Sequence, residues 1–313
     1  MWYCYNEELY CKNVYGSDSM KKIGIVTDSH SGITQEEAKR LGIKVLPMPF
    51  YIEEECYYEN VTLSREDFFE KLKSGVNVTT SQPSPAEVMK IWDEALEEFE
   101  QILYIPISSG LSGSCQTATM LANEEPYEGK VFVVDNGRVS TLMHRSVLDA
   151  LEMIEEGYSA AEIKQMLEDA RANMVIYIGV ETLENLKRGG RIKPSVAAIG
   201  TLLNIKPILK FDVGTLDSFK KCRGFAKARQ GMIEAIKHDL EETFKEYADK
   251  KEVYLVAASS APDEVTKDWI VQIKVAFPDM EVLCDDLSLG VSCHIGYGGL
   301  GIGLSCRPRR IRE

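Results

Sequence analysis

The chain has no CxxC pair: its eight cysteines (Cys4, Cys11, Cys56, Cys115, Cys222, Cys284, Cys293 and Cys306) are scattered over 313 residues. Structural zinc sites are usually built on close thiolate pairs, and disulfide frameworks belong to short secreted chains. These thiols therefore read as reduced core or surface residues, and no metal is expected. No apolar run approaches the ~18–20 residues that span a bilayer. No basic stretch near Met1 leads into an apolar one, so neither stable membrane insertion nor a secretory signal is expected. Cations are in deficit, with 36 Lys and Arg against 49 Asp and Glu, for a formal charge of −13. The average face of such a molecule repels nucleic acid and anionic lipid headgroups alike. The expectation is a cytoplasmic, monomeric protein that binds no nucleic acid.

What is present is material for a large core, 44% apolar residues against 27% charged. Residues 1–19 fit no amphipathic period and read as an extension outside the fold. From Lys22 the pattern is regular. Ile23–Thr27 is a short apolar strand ending in Asp28-Ser29, Ile102–Ile107 ends in Ser108-Ser109, and Val131–Val134 ends in Asp135. Short apolar strands alternating with helical patterns indicate βαβ units and a parallel sheet with helices on both faces. Polar residues at the carboxyl ends of such strands mark where open α/β sheets bind ligands. Ser84-Pro85-Ala86-Glu87 and Ser159-Ala-Ala-Glu162 are helix starts of the capping-box type, and a further helix is expected from near Ser112. A second α/β unit is expected over 174–313, after a first over 20–173. It would comprise a strand Val175–Val180, an apolar helix Val196–Leu203, a hairpin of Ile205–Phe211 turning at Gly214, and a long helix Phe225–Tyr247. The strands Val253–Ala258 and Glu281–Leu283 would flank a helix Asp263–Ala276.

Three hydroxyl-rich turns could carry chemistry: Asp28-Ser29, Thr79–Ser84 and Ser108–Ser114. Ser and Thr beside glycines and helix N-termini can hold a carboxylate or phosphate by neutral hydrogen bonds. They also cap helices and close turns with no ligand involved, and the pattern alone leaves both readings open. The Gly110-Leu-Ser112-Gly-Ser114 stretch misses GxSxG at its last position, and none of His30, His144, His238 and His294 sits in a triad motif. Gly296-Tyr-Gly298-Gly299-Leu-Gly301 matches GxGxxG letter for letter. A dinucleotide fold needs a strand before that loop, a helix after it and ~30 residues of βαβ unit, and only 12 residues follow Gly301. These glycines read instead as close backbone approach, around a ligand or between lobes. His294 before them reads as a structural histidine or a site residue. Lys187–Arg191 and Lys220–Arg229 are basic islands on an acidic protein, either a solvated face or a docking surface.

Six segments occur together in one order: Ile25-Val-Thr-Asp28-Ser29, Thr80-Ser-Gln-Pro-Ser84, Ile107-Ser-Ser-Gly-Leu-Ser-Gly113, Lys187-Arg-Gly-Gly-Arg-Ile192, Asn204-Ile-Lys-Pro-Ile-Leu209 and His294–Gly301. In order and spacing the chain resembles the DegV family from about Met20 to Arg312. The resemblance implies a bacterial two-lobed α/β protein that holds one long-chain fatty acid in a tunnel between the lobes. Some members are binding subunits that present the acyl carboxylate to a separate fatty acid kinase and carry no catalytic machinery themselves. On that likeness Thr80 and Ser109 hold the carboxylate, with Ser108 the alternative serine, and His294 approaches the same head group. Asp28, Ser29, Ser81, Ser112 and Arg191 support the site, while Arg191, Arg223 and Lys227 face the kinase. The chain departs from the family's usual Arg-Thr at Arg223-Gly224, and from its usual GPG or GSG at Gly296-Tyr297-Gly298. The expected ligand is the fatty acid alone, with no cofactor. Two other readings remain: a Ser-dependent acyl hydrolase using Ser109 or Ser112, and a lipid sensor with a different protein partner.

Overall fold

The computed structural model describes residues 21–59, 61–193, 196 and 205–310. The extension 1–19, Asn204 and all of the expected helix Val196–Leu203 except Val196 lie outside the described residues. In chain order the first strands are β1 (Lys21–Asp28), β2 (Lys44–Leu46), β3 (Pro49–Ile52), β4 (Glu55–Tyr58), β5 (Val78–Thr80), β6 (Phe99–Ile105) and β7 (Val131–Val133). They are followed by β8 (Met174–Gly179), β9 (Ile205–Asp212), β10 (Thr215–Arg223), β11 (Val253–Ser259), β12 (Val282–Asp286) and β13 (Leu300–Cys306).

These strands form three sheets. The order β2-β1-β6-β7 is parallel throughout, with Ile25 opposite Leu103 and Leu103 opposite Phe132. Its central strands are near-continuous apolar runs because both faces are covered. The second sheet has the order β10-β9-β8-β13-β11-β12, and only its β11–β12 pair is parallel. A small antiparallel sheet, β4-β3-β5, stands apart. Every strand of the six-stranded sheet lies at or after Met174, and every strand of the other two lies before it.

The molecule is layered. One face of the parallel sheet packs Ile102 and Tyr104 on Val88, Ile91 and Trp92 of the helix Pro85–Leu96. The other face packs Ile25, Leu103 and Ile105 on Met143, Val147 and Ala150 of the helix Thr141–Glu155. That same helix turns Leu142 and Leu148 toward Ile176, Ile178 and Val256 of the six-stranded sheet. The far face of that sheet packs on Met232, Ile236, Trp269 and Ile273 of the helices Phe225–Glu241 and Asp263–Ala276. Capping boxes close the starts of the helices Pro85–Leu96 and Ala160–Asp169, as the sequence indicates.

Several elements differ from expectation. The helix after the SSGLSG loop begins at Ser114, two residues late, with Gly113 as its N-cap. The expected single helix Phe225–Tyr247 breaks after Glu241 and resumes over Lys245–Asp249, because Phe244 turns into the core between them. The run Leu300–Cys306 is a wholly buried central strand rather than part of a glycine loop. A Cβ at Gly303 would stand 2.4 Å from Val175 O, so the strand lies close against β8.

Charged groups are buried where the two main sheets face each other. His144 Nδ1 lies 2.9 Å from Asp285 Oδ2, and its Nε2 lies 3.6 Å from Glu37 Oε1. Burial alone would lower the imidazole's pKa, but the carboxylates of Asp285 and Glu37 outweigh it, and the group is held above its ordinary value. The folded protein therefore binds this proton more tightly than the unfolded chain does. The resulting stability is complete below the unfolded value of ~6.5 and fades as pH rises through the raised folded value. His144→Gln should cost about 3 kcal/mol at pH 6, the scale for stripping one partner from a buried ion pair, and less at pH 9. Urea denaturation at the two pH values measures this, and a cost that stays level or grows with pH contradicts it.

Candidate functional site

Thr80 ends β5, where it pairs with Phe50 of β3, and the following turn is fixed by Ser84 and Pro85 at the start of the next helix. The small sheet and the helix Arg65–Lys73 bury Phe50, Ile52, Phe68 and Phe69 against Leu289 and Cys293 of the helix Leu289–Ile295. That apolar cluster sets two distant segments in register. Thr80 Oγ1 then lies 2.9 Å from His294 Nε2, across 214 residues of sequence.

Around this pair lies a cavity of about 330 Å³, within the usual ~300–1,000 Å³ of small-molecule sites. One end is polar: Thr80, Ser81, Gln82, Ser112, Arg191 and His294 line it. The remaining wall is largely apolar, with Ile176 and Ile178 of β8, Phe211 of β9, Leu216 of β10 and Leu287, Val291 and Ile295 beside or on the last helix. A more open groove of 420 Å³ adjoins it and shares Leu111, Ser112, Gly113, Arg191 and Leu216 with it. The polar end is thus also the end at which the cavity meets the surface. Arg191 is anchored there by Nη1 donating to Gly189 O at 2.6 Å and Nε donating to Leu111 O at 3.3 Å.

His294 is held by shape. A Cβ at Gly189 would lie 2.0 Å from its Nδ1, so only glycine admits the ring at that place. Burial, reinforced by Arg191 and His30, pushes the imidazole down to about 4. The ring is therefore neutral near pH 7 and offers one N–H and one lone pair.

The other residues singled out from the sequence divide clearly. Asp28 is fully committed: Oδ1 accepts from His30 N at 2.9 Å and Oδ2 from Ile107 N at 2.8 Å, tying the end of β1 to the chain after β6. Ser29 Oγ accepts from Met48 N at 3.0 Å. Neither lines the cavity, whereas the next residue, His30, does. Within the SSGLSG loop only Leu111, Ser112 and Gly113 face the cavity. Ser108 Oγ accepts from Gly110 N, and Ser109 Oγ donates to Asp135 Oδ2 at 2.5 Å, where Asp135 also meets Arg171. Ser109 lines the adjoining groove instead. Arg223 and Lys227 are exposed at the end of β10 and the start of the next helix, away from the cavity. Sequence reasoning missed His30, Ser140 and the apolar wall, and singled out Gln82 only as part of the Thr79–Ser84 turn; the adjacency of His30 to Asp28-Ser29 was the available signal.

Among the described residues no group of three His, Cys, Asp or Glu could hold a metal ion. Burial pushes the Cys115 and Cys306 thiols up to about 12, which leaves them unreactive at neutral pH. The Gly296–Gly301 run follows the helix Leu289–Ile295 and leads into β13, the reverse of the strand–loop–helix order a dinucleotide needs. No helix among the described residues is long and apolar enough to cross a membrane.

The family model described as "Uncharacterised protein, DegV family" matches residues 22–307. The chain belongs to the DegV family. A DegV domain-containing protein of Deinococcus radiodurans is 31% identical over 284 residues, covering 90% of this chain and 98% of that protein. Among solved structures, a DegV family protein from Thermus thermophilus described for its fatty acid binding is 33% identical, with a TM-score of 0.80 over 91% of this chain and 99% of the other. DegV of Bacillus subtilis, described as a fatty acid binding protein, is 27% identical with a TM-score of 0.76, covering 92% of this chain and all of that one. The six motifs of the DegV resemblance, apart from Asn204 outside the described residues, thus fall at the cavity, in its supports or in the strands around it.

If Gly189 holds His294 buried and neutral, Gly189→Ala should dislodge the ring and break its contact with Thr80. By NMR the His294 imidazole should titrate at about pH 4 in the original protein and near the ordinary ~6.5 in the variant. Equal titration in the two proteins contradicts the packing argument.

Proposed function

We propose that this chain carries one long-chain fatty acid in the cavity and presents its carboxylate to a separate ATP-dependent fatty acid kinase. The observation that carries the reading is the division of the cavity, with hydroxyls and a neutral imidazole at the open end and an apolar wall beyond. The fatty acid binding described for the relatives supports the ligand class. The carboxylate belongs at Thr80, His294 and Ser112, which can donate through Oγ–H, Nε2–H and Oγ–H. Arg191 stands at the opening, where a charged partner substrate arrives.

The magnitudes assign different tasks to the two ends. Each buried methylene is worth roughly 0.8 kcal/mol, so a chain of about fifteen supplies roughly 12 kcal/mol before the cost of association. Each neutral hydrogen bond adds only about 1 kcal/mol. The apolar wall therefore holds the ligand, and the polar end decides which way round it lies. Neutral donors also leave carboxylate charge on the oxygen that must attack the γ-phosphorus of ATP, with ADP as leaving group. A tight ion pair would quench that nucleophile. The docking role falls to the exposed cations Arg223 and Lys227 beside β10, with Arg191 at the mouth.

The hydrolase alternative requires an imidazole beside Ser109 or Ser112. Among the described residues, the hydroxyl within hydrogen-bond distance of a histidine ring is Thr80, while Ser109 is engaged by Asp135 and Ser112 by Ser114 N.

Palmitate binding to delipidated protein, read by native mass spectrometry and calorimetry, tests the proposal. One equivalent should bind. Thr80→Val, His294→Ala or Ser112→Ala should each weaken binding about tenfold, Ser109→Ala less than threefold, and Leu216→Trp should abolish it by filling the cavity. Arg223→Glu with Lys227→Glu should still bind palmitate but lower acyl phosphate formation when kinase and ATP are added. Failure of palmitate to bind at all overturns the carrier reading. A greater loss in Ser109→Ala than in Ser112→Ala overturns the assignment of the head group.

A further inference from the structure

Thr80 and His294 do not exhaust the polar atoms facing the cavity. Gly290 precedes His294 by four residues, so the two share a face of the helix Leu289–Ile295 about 6 Å apart along its axis. The space a side chain at Gly290 would occupy is taken by His30: a Cβ there would come 2.6 Å from its Nε2. His30 is fixed from behind. Its Nδ1 lies 3.1 Å from Asp28 Oδ1, which also accepts from its backbone N–H. In the neutral ring, a proton on Nδ1 beside this carboxylate leaves the lone pair on Nε2, on the other side of the ring. No partner for Nε2 is found among the described residues, and His30 lines the cavity.

Ser140 completes the group. Its backbone N–H donates to His30 O at 2.8 Å, so the two residues are held together. It adopts φ 57° and ψ −145°, a conformation that side-chain-bearing residues rarely take. Ser140 is among the residues that line the cavity and is 4% exposed, and its Oγ has no hydrogen-bond partner among the described residues. A strained backbone that leaves a hydroxyl unpaired beside a buried cavity is costly, and such features concentrate at ligand sites.

The two groups are complementary to one kind of ligand atom. A ligand hydroxyl can donate to His30 Nε2 and accept from Ser140 Oγ–H. We propose that His30 and Ser140 form a second polar subsite for a hydroxyl on the acyl chain. The cargo class is then long-chain fatty acids hydroxylated within a few carbons of the carboxylate, because the subsite sits one helical turn from His294. This inference rests on the fatty acid reading of the cavity.

Displacement of a fluorescent fatty acid by palmitate, 3-hydroxypalmitate and 16-hydroxypalmitate tests it. The original protein is compared with Ser140→Gly, which removes the hydroxyl and suits a positive φ, and with His30→Phe. The affinity ratio of 3-hydroxypalmitate to palmitate should be about tenfold higher in the original protein than in either variant. 16-Hydroxypalmitate, whose hydroxyl would be buried against the apolar wall, should bind more weakly than palmitate. An unchanged ratio across all three proteins, with palmitate bound, means that water satisfies these groups and overturns the subsite alone. If neither palmitate nor its hydroxy derivatives bind, the carrier reading falls and the subsite with it.

Discussion

The helix Thr141–Glu155 has a sheet on each side, and eleven of its fifteen residues are buried in consequence. This shared layer holds the parallel sheet and the six-stranded sheet at a fixed separation. Where the helix begins, at Ser140, the gap between the lobes opens as the cavity. The carboxyl ends of β1 and β6 reach it from one side, and the helix Leu289–Ile295 closes it from the other. The contact between the loop at Gly110 and the hairpin turn at Gly214 holds the lobes together beside the opening: a Cβ on Gly110 would lie 2.6 Å from Gly214 O. Buried charges such as His144 between Asp285 and Glu37 bind the same interface by specific pairs rather than by apolar area alone.

The cavity has an apolar wall because the six-stranded sheet turns side chains of β8, β9 and β10 toward it, beside those of the helix Leu289–Ile295. Polarity enters where strands end and loops begin, at Thr80, Ser81 and Ser112, and from His294 on the helix Leu289–Ile295. That division explains how hydroxyls and a neutral imidazole can define a binding site with little energy of their own. They orient a ligand whose affinity comes from its hydrocarbon.

Much of this was legible in the sequence. Apolar runs ending in Asp28, Ser108 and Asp135 located the parallel sheet, and Ser84-Pro85-Ala-Glu87 located a helix start because each residue type has a defined capping task. The three-stranded sheet of β3, β4 and β5 escaped notice because its strands are only three or four residues long and two are largely exposed. β13 escaped because its glycines erase the apolar pattern. Within the site, the resemblance assigned Thr80 and His294 to one head group, and the two side chains lie 2.9 Å apart, a contact that local pattern could not reveal across 214 residues. The SSGLSG loop shows the limit of spacing. Three serines stand within five positions, and what separates them is Asp135, a residue 26 positions away that engages Ser109 and leaves Ser112 toward the cavity. Ser140 was invisible because its distinction is a backbone angle.

The measurement that bears most directly on the whole account is a crystal structure of the delipidated protein reloaded with palmitate. One long, thin density is expected between the lobes, its carboxylate within hydrogen-bond distance of Thr80 Oγ1, His294 Nε2 and Ser112 Oγ, and its tail along Ile178, Phe211 and Leu216. A carboxylate held instead by Ser109 and Asp135 in the outer groove, or a ligand lying in the reverse direction, contradicts it.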